Sequence, residues 1–263
     1  MSISTKTPEE ITTLRAGGAI LGTILNALAK EAVPGVSTKD IDDIAMELIA
    51  QYDVEPALLG YHPSFAPRPY PAATCISVND CVQHGIPSST EVLEDGDVVN
   101  IDMTIGYRGM IVDSGLTVGV GTISKEASAL IATTQEALAH GIKVARPGNR
   151  IGDIGHAIQT LVESRGYSVV RDLCGHGVGY AVHEEPSITN FGRPGTGPEI
   201  KVGHVYAIEP IVNIGSPDVY FDDAGDGYAV YTMDGSLSAH FEHTVAITED
   251  GPLILTKAAS LES

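Results

Sequence analysis

The sequence predicts an α+β fold of two related halves, and three observations predict it. Helical periodicity occurs in two pairs of segments, within residues 8–49 and 125–165. Strand-like text follows each pair. The order is therefore helix–helix–strands twice over, which is not the strand–helix alternation of a doubly wound parallel sheet.

The first helix opens at Thr7-Pro8-Glu9-Glu10, with Thr as N-cap, Pro in the first turn and acids beside it. Ile11, Leu14, Ile20, Leu21, Ile24, Leu25 and Leu28 continue it at helical spacing until Pro34-Gly35. Ser37 and Thr38 start the second, which carries Ile41, Ile44, Ala45, Leu48 and Ile49. Four prolines in the ten residues from His62 to Pro71 mark a surface loop. Strands are expected at Thr74–Val78, Asp97–Ile105 and Met110–Val120. The third helix spans Lys125–Val144 and stops before Pro147-Gly148; the fourth runs from about Ile151 to Arg165 and ends at Gly166. Strands and Gly- and Pro-rich turns fill the last hundred or so residues.

The 263 residues carry 15 Lys and Arg against 34 Asp and Glu, a formal charge of −19. That sign argues against binding to nucleic acid or anionic lipid, and 4 Phe, 10 Tyr and no Trp leave few platforms for stacking bases. Cys75, Cys81 and Cys174 cannot all pair and form no CxxC pattern, which fits a reducing compartment. The polar opening lacks a secretory signal, and the apolar stretch around Ala19–Ala29 is interrupted and too short to span a membrane. The expectation is a cytoplasmic protein.

Asp102 and Asp113 lie in two β-rich runs flanking Gly106-Tyr107-Arg108-Gly109, which reads as a hairpin. With Tyr107 and Arg108 at its tip, the two aspartates face each other on one side of the sheet. Like charges so placed need a proton or a cation between them, unless one simply caps a surface turn. His176 and His183 sit in the Gly-rich stretch Cys174–Pro186, where backbone can approach a ligand closely. Glu209 ends the apolar run Val205–Ile208, and Glu242 interrupts the run Ala239–Ile247. An unpaired carboxylate buried there costs several kcal/mol. Four carboxylates with one or two imidazoles suit two divalent ions such as Mn, Fe, Co or Zn better than a thiolate-bound zinc. Two such ions about 3.5–4 Å apart, sharing carboxylates and a water, form a hydrolytic centre. Further His residues then hold substrate and shuttle protons.

Asp102, Asp113-Ser114-Gly115, Gly175-His176-Gly177-Val178-Gly179, His183-Glu184-Glu185-Pro186, Ile208-Glu209-Pro210 and Phe241-Glu242-His243-Thr244 together resemble type I methionine aminopeptidases. Ser77-Val78-Asn79, His84-Gly85-Ile86-Pro87 and the opening Lys6-Thr7-Pro8-Glu9-Glu10 extend the likeness over nearly the whole chain. The resemblance implies the pita-bread fold, two pseudo-symmetric α/β halves around a curved antiparallel sheet, as one catalytic domain over residues 1–263. It makes Asp102, Asp113, His176, Glu209 and Glu242 the ligands of two divalent ions (Co, Mn, Fe or Zn), with Asp113 and Glu242 bridging. It puts His84 at the scissile region or the substrate's amino end, His183 on the peptide carbonyl and Glu209 in the role of proton shuttle. It also implies a structural monovalent cation near Asn79 and Ser238. The implied activity is removal of initiator Met from nascent polypeptides, with a small second residue preferred. The implied enzyme is a monomer, and the lack of an evident basic patch limits any ribosome association to a transient one.

The methionine pocket departs from the family pattern more than the metal site does. Tyr61, Cys75 and Tyr228 are its expected walls, beside His84 and His183. The proline-rich insertion Pro63–Pro71 separates Tyr61-His62 from Cys75 and could displace Tyr61; it reads as an inert loop or as a lid or wall of the cleft. Leu58 stands where Cys is frequent, Val182 where an aromatic is, and Tyr228 where Trp is. His240 replaces a more usual Gln. Because one methylene in an apolar pocket is worth only about 1–3 kcal/mol, these walls leave specificity less fixed than chemistry. Two rivals remain: a proline-directed peptidase of the same fold, which usually carries an extra N-terminal domain, and a metal-free binding protein, which would have lost ligands.

Overall fold

Helix α1 (Pro8–Glu31) begins in a closed capping box: Thr7 Oγ1 accepts the Glu10 N–H, and the Glu10 carboxylate accepts the Thr7 N–H. Ser37 and Asp40 repeat the device for α2 (Thr38–Tyr52). Ser124 caps α3 (Lys125–Val144), and α4 spans Ile151–Ser164, with Arg165 as its C-cap. These bounds come from a computed structural model, which describes residues 3–64, 66–222, 225 and 227–258. Met1 and Ser2 of the polar opening and Phe65 of the insertion lie outside the described residues.

The strands of the first half are β1 (Glu55–Pro56), β2 (Cys75–Val78), β3 (Cys81–Gln83), β4 (Val98–Tyr107) and β5 (Met110–Gly119). Those of the second half are β6 (Ser168–Val169), β7 (Cys174–Gly177), β8 (Glu184–Thr189), β9 (Val205–Ile208), β10 (Ile211–Asn213), β11 (Val219–Phe221), β12 (Val230–Thr232), β13 (Ser238–His240), β14 (His243–Thr248) and β15 (Gly251–Ile254). In the first half β4 pairs with β1, β2 and β5; the largest sheet of the second runs β15-β14-β9-β7-β8. All these pairings are antiparallel. Two apolar cores form, and the first also takes in Val178, Val205, Ala207 and Ala246 of the second half. Leu21, Ile41, Ile101 and Met103 are buried in one, and Leu130, Ile154, Tyr206 and Ile208 in the other. The doubling read from the sequence is thus present in helices, sheets and cores alike.

The β4–β5 hairpin corrects one expectation. Its tip is Arg108-Gly109, and Tyr107 pairs with Met110, so Asp102 lies opposite Gly115 and Asp113 opposite Thr104. A tight hairpin turn of this kind needs positive φ at both central residues. Arg108 and Gly109 supply it at +51° and +79°, whereas the expected tip would have imposed it on Tyr107. The partner shifts by two residues, which preserves the face. The aspartates are diagonal neighbours.

By length and composition the 24 residues of helix α1 could cross a membrane, although the apolar stretch around Ala19–Ala29 reads as too short. Leu14, Leu21, Ile24, Leu25 and Leu28 are instead fully buried in the first core, as in a core helix. Its small residues seat the C-terminal segment. A Cβ on Gly18 would stand 2.4 Å from the Leu255 carbonyl oxygen, and one on Gly22 2.5 Å from that of Thr256. Gly18→Val is therefore expected to destabilise the fold by about 1–3 kcal/mol, read as a lower urea midpoint with an unchanged m-value.

Candidate active site

The site lies along the seam between the halves, and the seam is stitched by hydrogen bonds. Glu242 N–H donates to the Gly115 carbonyl at 2.8 Å, and the Ser114 hydroxyl donates to the Glu242 carbonyl at 2.8 Å. Thr244 Oγ1 accepts the Asp113 N–H and donates to the Asp113 carbonyl. Thr117 and Asn100 both donate to the carbonyl of His240. These bonds set β5, which carries Asp113, against the β13–β14 junction, which carries Glu242. His176 arrives on β7, and Glu209 directly follows β9.

All five expected ligands are buried in one cluster. Ligand atoms of Asp113, His176 and Glu242 lie within 4.8 Å of one another. His176 Nε2 is 3.8 Å from Asp113 Oδ2 and 3.7 Å from Glu209 Oε1. Burial, and then repulsion from neighbouring carboxylates, holds Asp102 and Glu242 well above the ordinary carboxylate range. Burial likewise lifts Asp113 to about 7, against a hydrogen bond from Thr104, and Glu209 to about 8, against one from Gln83. Burial, reinforced by His183, pulls His176 down to about 3, so its imidazole is neutral and free to ligate.

Glu242 Oε1 is buried with no hydrogen-bond partner. An orphaned carboxylate oxygen, three further buried carboxylates and a neutral imidazole fit divalent cations, which would supply the charge the cluster lacks.

A cavity of about 360 Å³ opens onto this cluster, lined on its apolar side by Leu58, Cys75, Val182, Phe221 and Tyr228. His84 and His183 also line it. His84 has φ +61°, a conformation that costs a non-glycine residue on the order of 1–3 kcal/mol and recurs at functional sites. The His183 ring stands 4.4 Å from that of His176. Tyr61 is not among the lining residues; its hydroxyl meets His183 Nδ1 at 2.9 Å. Cys75 is buried, and burial raises its thiol well above its ordinary value. That suits a packed apolar wall better than a reactive thiolate.

The insertion is not wholly surface-lying. Ala66 and Tyr70 are buried with Cys75 and Tyr228 in a small apolar cluster. Tyr70 packs edge-on against Tyr228 at 5.0 Å, and the Tyr228 hydroxyl donates to the Arg68 carbonyl. The loop thereby backs the pocket wall. The glycines around His176 need a second correction: a Cβ on Gly175 would stand 2.4 Å from the Ala207 carbonyl oxygen, and one on Gly177 2.2 Å from that of Glu185. They admit neighbouring backbone rather than a ligand. Asn79 donates to Asp97 and accepts from Val98 through its side chain, and its carbonyl accepts the Ser238 N–H.

Sequence reasoning missed two polar contacts. Gln83 Nε2 donates to Glu209 Oε2 at 2.9 Å, and Thr104 Oγ1 donates to Asp113 Oδ1 at 2.8 Å. Strand alternation puts Thr104 on the face of Asp102 and could have found it; Gln83 offered only its place beside His84. His240 Nε2 is 3.7 Å from Glu209 Oε2 and has no hydrogen-bond partner.

Metal-dependent hydrolysis is the chemistry this fold and cluster define. The chain belongs to metallopeptidase family M24, whose sequence model matches residues 12–249. It is 48% identical over 251 residues to a methionine aminopeptidase of Clostridium perfringens, covering 95% of this chain and 97% of that one. With methionine aminopeptidase 1 of Bacillus subtilis the identity is 44% over 252 residues, 96% and 98% of the two chains. The crystal structure of methionine aminopeptidase from Thermotoga maritima superposes with a TM-score of 0.93 at 41% identity, over 97% of this chain and all of that one. A prolidase from Pyrococcus horikoshii shares the fold at a TM-score of 0.74 and 21% identity, and the chain spans 64% of its length. The architecture is the pita-bread fold.

The raised carboxylates set the pH dependence of the metal-free protein. Asp113 and Glu209 hold protons in the fold that the unfolded chain releases near pH 4, so stability falls as pH rises toward 8. The depressed His176 and His240 act oppositely, but only below about pH 6.5, where the unfolded chain binds their protons. With chelator present the melting temperature should therefore drop between about pH 6.5 and 8. Saturating divalent metal should remove the decline. A flat metal-free profile over that window would contradict the assignment.

Proposed function

We infer that the protein hydrolyses the peptide bond after an N-terminal methionine, with a small second residue preferred. The observation that carries this reading is the single cavity in which an apolar wall, the two histidines and the carboxylate cluster meet. Asp102, Asp113, His176, Glu209 and Glu242 would hold two divalent ions (Co, Mn, Fe or Zn). When bound, such ions supply Lewis acidity and make water a competent nucleophile at neutral pH.

The chain's own residues do the rest. Cys75, Leu58, Val182 and Tyr228 enclose the methionine side chain, and the insertion keeps Tyr228 in place from behind. Tyr61 acts through His183. With the Tyr61 hydroxyl donating to Nδ1, the ring keeps its proton on Nε2 and offers it to the scissile carbonyl. Burial keeps that ring neutral, which preserves this donor and acceptor pair. His84 binds the substrate's amino end or the scissile region. Glu209 shuttles the proton between water and leaving amine, with Gln83 fixing one of its oxygens. A monovalent cation near Asn79 and Ser238 would be structural. The substrates are the N-termini of nascent chains in the cytoplasm, met by a monomer whose ribosome contact is transient.

Metal-loaded protein should release Met from Met-Gly-type peptides and leave X-Pro-type peptides intact; cleavage confined to the X-Pro bond would overturn the reading. His183→Ala should lower turnover by about 10²–10⁴-fold with metal content unchanged. Glu242→Ala should lose metal and activity together, and its retention of both would show the ligand set to be wrong.

A further inference from the structure

The turn that presents His183 is fastened from outside the cavity. Glu184 follows His183 on the chain, and both its carboxylate oxygens are occupied. Oε1 accepts the N–H groups of Tyr180 at 2.5 Å and Ala181 at 3.2 Å. Oε2 accepts from Lys6 Nζ at 2.7 Å and from the Ser4 hydroxyl. Lys6 is 3% exposed, and its ammonium lies 4.7 Å from the centroid of the Tyr180 ring. The Tyr180 hydroxyl in turn donates to Glu10 at the start of α1. Backbone bonds anchor both sides: Lys6 N–H donates to the Gly203 carbonyl, and Ile111 N–H to that of Gly179. Gly179 has φ +137°, and a Cβ there would stand 2.4 Å from Lys6 Cε. The turn is closed down onto the lysine stem.

Neither Lys6 nor Glu184 lines the cavity. An apolar side chain would fill the Lys6 position with less desolvation cost, so packing alone does not account for a buried ammonium. What the charge adds is a fixed place for the one carboxylate that gathers the N–H groups of residues 180 and 181. We propose that Lys6 is a positioning residue for His183: its ion pair with Glu184 sets the turn, and the turn sets the imidazole against the substrate carbonyl. The proposal rests on the role given to His183 above. It makes the segment preceding α1 a working part of the active site.

A double-mutant cycle on the metal-loaded enzyme with a Met-Gly-type peptide tests it. Lys6→Met keeps the stem and removes the charge. It should lower kcat by about ten- to a hundredfold, the scale of a displaced catalytic group, with KM and metal content near those of the parent. In a His183→Ala background the same change should cost no more than about twofold, because the group it acts through is gone. Equal factors in the two backgrounds would overturn the proposal. Should Lys6→Met fail to fold, Glu184→Gln serves the same cycle: its amide oxygen still accepts the two N–H groups while its NH₂ confronts the ammonium. A parent enzyme inactive on Met-Gly-type peptides would contradict the role of His183 itself, whereas an active parent with additive losses contradicts the role of Lys6 alone.

Discussion

Four carboxylates, Asp102, Asp113, Glu209 and Glu242, are buried in one cluster contributed by both halves of the fold. At an effective dielectric of about 20, two unit charges 4 Å apart repel by about 4 kcal/mol, and desolvation adds to that. Such a cluster survives only where the surrounding structure forces it together and protons or cations neutralise it. Much of the molecule serves the first requirement. Two apolar cores hold the sheets, and hydrogen bonds from Ser114, Thr117, Thr244 and Asn100 join them along the line where the carboxylates meet. Those bonds are buried and long-range in sequence, so loosening any of them loosens the site as well as the fold.

The same seam explains the division of labour around the cavity. The ligand cluster is built from strands and strand ends, which a sheet fixes tightly. Of the other lining residues, Cys75 and Phe221 lie on strands, whereas His84, Val182, His183 and Tyr228 lie on turns and loops. His84 is held in a strained backbone conformation, Tyr228 by the insertion, and His183 by Tyr61 on one side and the Glu184 turn on the other.

The buried carboxylates were legible because a carboxylate inside an apolar strand is a local anomaly: Asp102, Glu209 and Glu242 stand out against Val, Ile and Ala. Two helix starts were equally plain, since Thr7 and Ser37 cap through neighbours within three residues. The hairpin register was misjudged by one residue at the tip, because two β-rich runs do not show which pair carries positive φ. The glycines beside His176 looked like room for a ligand and proved to be room for Ala207 and Glu185. Gln83 on Glu209 and Lys6 on Glu184 were hidden. Their partners lie 126 and 178 residues away in the chain, and nothing local distinguishes either from a surface residue. The insertion belongs to the same class, for only the fold shows Tyr70 packed behind Tyr228.

Holding divalent cations is the task that these buried carboxylates fit. Anomalous diffraction from crystals grown with Mn or Co, recorded at the metal's absorption edge, tests it directly. Two anomalous peaks enclosed by Asp102, Asp113, His176, Glu209 and Glu242 are expected. Peaks confined to other places on the molecule, with the cluster empty at saturating metal, would contradict it.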